Sequence, residues 1–507
     1  MDRKATPVSG SRNWRPEANT QRWLPWVALS GLLGLLIFQI WAYYYKLPLS
    51  LGPRVILQPW LLKRGFVMYE DIVDLHSPLM PLLVATLTPL IPDGLSLAKL
   101  ILVVLLSLST LLTFVVGWRT MGWLGGLGAA CFFVGWSPTF GFGKLWHESF
   151  LAPLFLLLFL FYDTSAARRS TRSCLFLGFL GGVAILFKQH AALVFAAFVL
   201  WHAFATWHLR RSGSSLVREV GLMGQGAMVP VSAYAVFQYA QAGSLESLWY
   251  WTMAYPVTSD YGSLAAQPPT IAQIGVVASS CLLLPAALFS AIDSKRKGDT
   301  AWLHLGLGLT LLAASSVTAY PRFDFFHLQA TLPWLALTSA LTLAYAWRSG
   351  ISGRFFAAGI AVALSAFWLI TAGPAYHPVA TAPAQQYTSE YSDLVPLAQR
   401  IRQYIGPAGC IYLFPDDEAT ANLYYLLRCS PPRFWIFHYP WYMSGWVRDR
   451  ILSSLDADPP AWVAFFPGRW DAENRAPEIV KYLQDHYQRK TSFQWAQGEV
   501  WLFRRVP

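Results

Sequence analysis

The sequence predicts a mainly α, polytopic membrane protein of about 11 transmembrane helices, followed by a C-terminal extracytoplasmic α/β domain. Three observations predict it. Only 13% of the 507 residues are charged, against 55% hydrophobic and 16% aromatic. A soluble domain carries roughly 25% charged residues, so this chain cannot cover itself with water-facing groups, and lipid must solvate part of it. Apolar runs of about 20 residues, the length that crosses the hydrocarbon core of a bilayer, recur along most of the chain. Clusters of Lys and Arg fall between alternate runs, as the orientation rule for short cytoplasmic loops requires.

Taken in order, the first run covers residues 24–45. It is too long for a signal-peptide core and no small-residue cleavage site follows, so it is a retained span. Further runs cover 96–118 and 123–140, with a shorter one over 150–162. The stretch 174–207 is interrupted by Lys188-Gln189-His190. It is too long for one span, and two helices meeting at the polar break account for it. The remaining runs are 220–239, 271–292, 302–320, 327–347 and 355–372. A cytoplasmic tail of residues 1–22 carries Arg3, Lys4, Arg12, Arg15 and Arg22. With that tail inside, Arg119, Arg168-Arg169-Arg172, Arg210-Arg211-Arg218, Lys295-Arg296-Lys297, Arg348 and Arg354 all fall on the cytoplasmic side. The net charge of +11 is thus orienting charge, and no nucleic-acid partner is expected.

The transmembrane domain is assigned to 23–378 and the outer domain to 385–507. In the latter, helical spacing covers 394–405, 418–427 and 446–455, and 477–487 opens with Pro at a helix N-terminus. Short apolar runs at 410–414 and 462–466 are strands, and 492–494 with 499–503 form a hairpin around Gln497-Gly498. Cys131, Cys174 and Cys281 lie in apolar runs as small core residues. Whether Cys410 and Cys429 pair depends on geometry and compartment, which the sequence leaves open.

The chemistry-bearing residues gather in the connections on the outer side. The first outer loop holds Glu70, Asp71, Asp74 and His76 within seven residues. The apolar, proline-containing segment that follows, 79–90, lies at the membrane surface rather than crossing it. Carboxylates pressed against an interface gain proton affinity and can act as bases or hold a divalent metal, although a solvated acidic loop has the same composition. The second outer loop is short and holds Lys144, His147 and Glu148. Glu148 opens a helix, where the dipole favours a carboxylate. Lys188 and Gln189 sit at the polar break, where Lys188 can snorkel to the interface or meet an anionic head group. Between the last long spans lie Arg322, suited to bidentate phosphate binding, Asp324 and His327. The loop 243–270 is rich in Trp and Tyr, which stack on sugars and also form interface belts. Acids, cations and histidines thus converge on one face. Transfer from an anionic lipid donor needs such a set, a base for the acceptor and cations for the leaving phosphate.

On these residues the chain resembles the C-type glycosyltransferase superfamily, in the branch of protein O-mannosyltransferases and the aminoarabinose transferases of lipid A. It is most similar to bacterial members whose first loop reads Gly-x-x-x-Tyr-x-Asp followed by His-x-Pro-Leu, matched here by Gly65, Tyr69, Asp71, His76, Pro78 and Leu79. The resemblance makes Asp71 the catalytic base and Glu148 the second acidic position of the fold, with Glu70 beside Asp71 as a second candidate base. Lys188-Gln189 matches a recurring Lys-Gln pair, and Arg322, His327 and Pro333 match an Arg-x-x-x-x-His before a Pro-containing span. It implies a polyprenyl-phosphate sugar as donor, a glycan, lipid or protein acceptor and inversion at the anomeric carbon. It further implies a bacterial inner-membrane location and, in some relatives, a divalent metal, for which Asp71 and Glu148 would be the ligands. The remaining expected substrate-binding residues are Glu70, Asp74, His76, His147, Lys188, Gln189, Arg322 and His327. Two other readings compete. A transporter or flippase of a lipid-linked or anionic solute would place paired ionisable groups at mid-membrane in symmetric halves. An assembly or sensor protein would use the α/β domain to hold a partner.

Overall fold

The computed structural model describes residues 23–163, 170–210, 213–296, 301–348, 351–371, 373–381, 389–407 and 409–506. The tail 1–22, Arg168, Arg169, Arg211, Lys297 and Gln385 lie outside the described residues.

Among the described residues, six helices are long and apolar enough to cross a membrane, and five shorter apolar helices accompany them. These coincide one for one with the expected runs. In chain order they are α1 (Leu24–Trp41, continued to Lys46 by a wider π turn), α4 (Gly94–Met121), α5 (Trp123–Trp136), α6 (His147–Asp163), α7 (Thr171–Phe187), α8 (Ala191–Arg210), α9 (Gly213–Ala242), the pair α10 (Ile271–Ser280) and α11 (Leu284–Arg296), α12 (Ala301–Ser316), α13 (Leu332–Arg348) and α14 (Ile351–Thr371). Between α1 and α4 lie two short helices, α2 (Leu57–Lys63) and α3 (Leu79–Leu87). At nine residues α3 is too short to cross, in keeping with the expected surface segment. The run 271–292 is interrupted by a turn at residues 281–283, between Ser279-Ser280 and Pro285. At Lys188 the backbone is extended (φ −156°, ψ 126°), which ends α7 and turns the chain into α8.

Local signals set several ends. Asp93 accepts from the amides of Leu95 and Ser96 at the start of α4, and Ser170 accepts from that of Ser173 at the start of α7. Thr270 and Gln273 form a reciprocal capping box on α10. α7 and α9 approach with backbone on backbone. A Cβ on Gly178 would collide with the Met223 carbonyl, and one on Gly182 would collide with the Ala227 carbonyl and lie 2.6 Å from the Pro230 ring. This is the small-residue packing of membrane helices, where close approach replaces a hydrophobic driving force. Gly182→Leu is expected to separate the two helices and deplete the folded, monodisperse fraction in size-exclusion chromatography of detergent extracts. A wild-type profile would show that the helix pair can open without loss.

The C-terminal unit contains α15 (Ser389–Ile405), β1 (Ile411–Phe414), α16 (Asn422–Leu427), α17 (Gly445–Ala457), β2 (Trp462–Phe465), α18 (Pro477–His486), β3 (Tyr487–Trp495) and β4 (Gly498–Arg505). Its sheet has the order β1-β2-β4-β3, with β1 and β2 parallel and the rest antiparallel. The helix expected from 418 begins only at Asn422, because Asp417 turns the chain first, accepting from the amides of Ala419 and Thr420. The hairpin is longer than expected, since α18 runs straight into β3. Cys174 is buried as expected, whereas Cys131 is exposed on its helix and Cys281 half-buried. Cys410 and Cys429 are free thiols, with Cys429 Sγ accepting from Ile411 N–H at 3.1 Å.

The unit docks on the first loop. Trp435 N–H donates to the Asp71 carbonyl at 2.7 Å, and Val73 N–H donates to the Trp435 carbonyl at 2.9 Å. The Asn422 side chain donates to the Leu51 carbonyl at 2.8 Å.

Candidate active site

Connections that are odd-numbered in the chain meet at one end of the helix bundle. They are the α1–α4 loop, the α5–α6 turn, the α7–α8 break, the α9–α10 loop and the α12–α13 loop, and the C-terminal unit joins them. Each contributes a polar side chain, and the chain order of the helices explains the convergence, because alternate connections fall at the same end of an up-and-down bundle. Contacts at the opposite end include Arg218 on Thr171 and Lys295 over Trp302.

The deepest part is built on Glu148, in the first turn of α6. It is fully buried. Its Oε1 accepts from Lys188 Nζ and, at 2.8 Å, from His327 Nδ1. Lys188 Nζ and His327 Nδ1 are 3.4 Å apart, but both donate to Glu148, so this is two donors crowding one acceptor rather than a bond between them. Glu148 Oε2 and His147 Nε2 are buried and make no hydrogen bond among the described residues. A buried polar atom without a partner costs about 1–3 kcal/mol, so a donor brought to this spot would be stabilised there.

Asp74 anchors the second part. Its Oδ2 accepts from Arg54 Nε at 2.6 Å and Gln58 Nε2 at 2.7 Å, and its Oδ1 accepts from His76 N–H at 3.0 Å and Nδ1 at 2.7 Å. Burial alone would raise the Asp74 carboxyl, but Arg54 and His76 override it and hold the group well below the usual carboxylate range. For His76, burial and Arg54 lower the imidazole from its ordinary value, against the opposite pull of Asp74. His76 stacks on His147 with centroids 4.7 Å apart and planes 9° from parallel. His147 Nδ1 lies 2.7 Å from the Phe187 carbonyl. A carbonyl can only accept, so Nδ1 carries the proton and Nε2 presents a lone pair. Gln189 ties the two parts together, donating to the Leu75 carbonyl at 2.6 Å and accepting from Ser77. Trp146 forms the floor, with the Arg54 guanidinium 4.8 Å and Lys144 Nζ 4.4 Å from its ring, and His76 packed on its edge.

The other expected residues lie around this group. Asp71 is 17% exposed, against 2% for Asp74 and 0% for Glu148. It accepts from Val67 N–H at 2.9 Å and pairs with Arg433 of the C-terminal unit, itself 58% exposed. The Glu70 side chain is half-buried and has no hydrogen bond or ion pair among the described residues. Arg322 donates to Gln267 at 3.0 Å. Sequence reasoning did not select Arg54, Gln58, Trp146, Glu418 or Arg433. Arg54 could have been noticed as the one charge in the apolar stretch 47–62, and Glu418 as the last of the acids Asp416-Asp417-Glu418 after β1.

The two carboxylates expected to ligate a metal if one is used, Asp71 and Glu148, are each paired with a side-chain cation. Among the described residues, no three His, Cys, Asp or Glu side chains converge as a metal site. This donor set does not fit a divalent ion.

No protein-family model matches the sequence, and no curated protein matches it. Among solved structures, ArnT from Cupriavidus metallidurans in the apo state is similar over 95% of this chain and 98% of that chain, with a TM-score of 0.63 and 12% identity. The same protein bound to undecaprenyl phosphate gives a TM-score of 0.59 over the same spans, again at 12% identity. At that identity the likeness speaks for architecture, and it runs through both the helical bundle and the sheet-bearing unit. The chain therefore shares the fold of ArnT, in both its helical and its sheet-bearing parts.

Proposed function

We propose that this protein is an inverting glycosyltransferase. It moves a sugar from a polyprenyl-phosphate donor to a glycan, lipid or protein acceptor at the outer face of the inner membrane. Its N-terminus is cytoplasmic, its bundle spans 23–378, and its α/β domain, 385–507, is extracytoplasmic. The observation that carries the reading is the graded accessibility of one polar group. The locked ion pairs of Glu148 and Asp74 lie innermost, and Asp71, Lys144 and Arg322 stand at the edge where substrates enter. The undecaprenyl phosphate held by ArnT supports the choice of donor.

In this reading Asp71 is the base, because it is more exposed than Asp74 and Glu148 and its partner Arg433 lies largely in water. Its carboxylate takes the proton of an acceptor hydroxyl as that oxygen bonds to the anomeric carbon. The bond from that carbon to the phosphate oxygen breaks on the opposite side, and polyprenyl phosphate leaves with the electron pair. Lys144 and Arg322 offset the charge that develops on the phosphate. The unpartnered Nε2 of His147 and Oε2 of Glu148 accept hydrogen bonds from sugar hydroxyls. Lys188 and His327 hold Glu148 in place, and Gln189, Glu70, Asp74 and His76 shape the first loop around the sugar. The test is transfer of radiolabelled sugar from a panel of polyprenyl-phosphate donors in membranes containing the protein. Donor uptake across the membrane without any covalent transfer would favour a flippase instead.

A further inference from the structure

Glu418 enters the site from the C-terminal unit and divides its carboxylate between two cations. Oε1 accepts from Arg54 Nη1 at 2.8 Å, and Oε2 lies 3.4 Å from Lys144 Nζ. Its own backbone amide is held by Tyr439 Oη at 3.1 Å. Arg54 already spends its Nε on Asp74, so Glu418 uses the outer side of the guanidinium fork. Both cations lie against the Trp146 ring, and the Glu418 carboxylate bridges them. Unlike Asp74 and Glu148, Glu418 remains 31% exposed, so it sits at the mouth of the group rather than in its interior. The Lys144 contact is longer than the 2.7–2.9 Å usual for a charge-assisted bond, which leaves that cation incompletely matched. Burial would raise the carboxyl, but Lys144, Arg54 and Arg322 hold it down at about 2, so it is an anion at any working pH.

We propose that Arg54 and Lys144 form a binding site for the phosphate of a prenyl phosphate ester, and that Glu418 fills this site in the free protein and is displaced when the phosphate arrives. This rests on the glycosyltransferase reading above and assigns its donor phosphate, and the phosphate released, to a defined pair of cations. The chemistry is one of exchange. A carboxylate and a phosphate both offer two oxygens to a guanidinium fork, but a phosphate monoester carries nearly twice the charge at neutral pH. Polyprenyl phosphate therefore competes for the site better than a singly charged donor ester. Return of Glu418 assists release of the product, and the C-terminal unit senses whether the site is filled.

The experiment measures binding of farnesyl phosphate to the full-length protein in detergent by isothermal titration, with inorganic phosphate and phosphatidic acid as competitors. Glu418→Gln removes the internal competitor and is expected to tighten binding by about threefold to tenfold. Lys144→Gln is expected to weaken it by a similar factor. Glu418→Asp, which keeps the charge but shortens the reach to one of the two cations, is expected to tighten it less, and it supplies the reading if Glu418→Gln does not fold. Unchanged or weaker binding in the Glu418 variants would overturn the inference and make Glu418 a docking contact. Equal competition by phosphatidic acid would overturn the assignment to a prenyl ester. Sugar transfer by the wild type without tighter binding in Glu418→Gln defeats this inference alone. Tighter binding without sugar transfer from any donor defeats the proposed activity and leaves the anion site standing.

Discussion

Asp71→Asn is expected to lower sugar transfer by about a thousandfold, within the range of a lost general base, while expression and membrane insertion stay at wild-type levels. The two halves of this expectation have separate causes. Asparagine keeps an oxygen that accepts from Val67 N–H, so the turn that carries residue 71 is preserved. The pair with Arg433 is lost, but Arg433 is largely in water, and such exposed pairs are worth about 0–1 kcal/mol. The change therefore removes proton affinity and little else. Radiolabel transferred per unit of inserted protein is the measurement. Activity within about tenfold of wild type, well short of a lost base, would remove Asp71 as the base and turn attention to Glu70, Asp74 and Glu148.

Lys188→Met should have the opposite profile. Glu148 is completely buried and Lys188 nearly so. Removing the lysine leaves a buried carboxylate with only His327 as partner. Breaking a buried pair from one side costs about 3–5 kcal/mol, because an uncompensated charge remains in a low-dielectric site. A marked fall in the apparent melting temperature of the detergent-solubilised protein is expected. Glu148→Gln combined with Lys188→Met should recover most of the loss, since contacting residues couple strongly in a double-mutant cycle. A single variant that melts like wild type would show that water reaches Glu148.

These two residues also mark how far the sequence could be read. The helical bundle was legible because hydropathy is local, and each run of about 20 apolar residues declares itself without its neighbours. The break at Lys188-Gln189-His190 was legible for the same reason, and α7 ends at Phe187 as that reading requires. The turn at 281–283 was not, because the apolar run continues through it, although Ser279-Ser280 before it and Pro285 after it mark the place. In the site, the first-loop acids, Glu148, Lys188 and His327 were visible as charges in the wrong medium. Their partners were not. Nothing local in Arg54 predicts Glu418, 364 residues away, and nothing in Asp71 predicts Arg433, 362 residues away. The stacking of His76 on His147 likewise depends on two loops brought together by the bundle.

The same separations carry a consequence for biosynthesis. The first loop leaves the ribosome long before the chain that clamps it, at about 5–20 residues per second. Arg54 and Asp71 must therefore wait for nearly the whole polypeptide before Glu418, Arg433 and Trp435 arrive to hold them. The last quarter of the protein is thus the final step in its maturation, and a chain cut short before β1 would insert its helices and still lack a finished first loop.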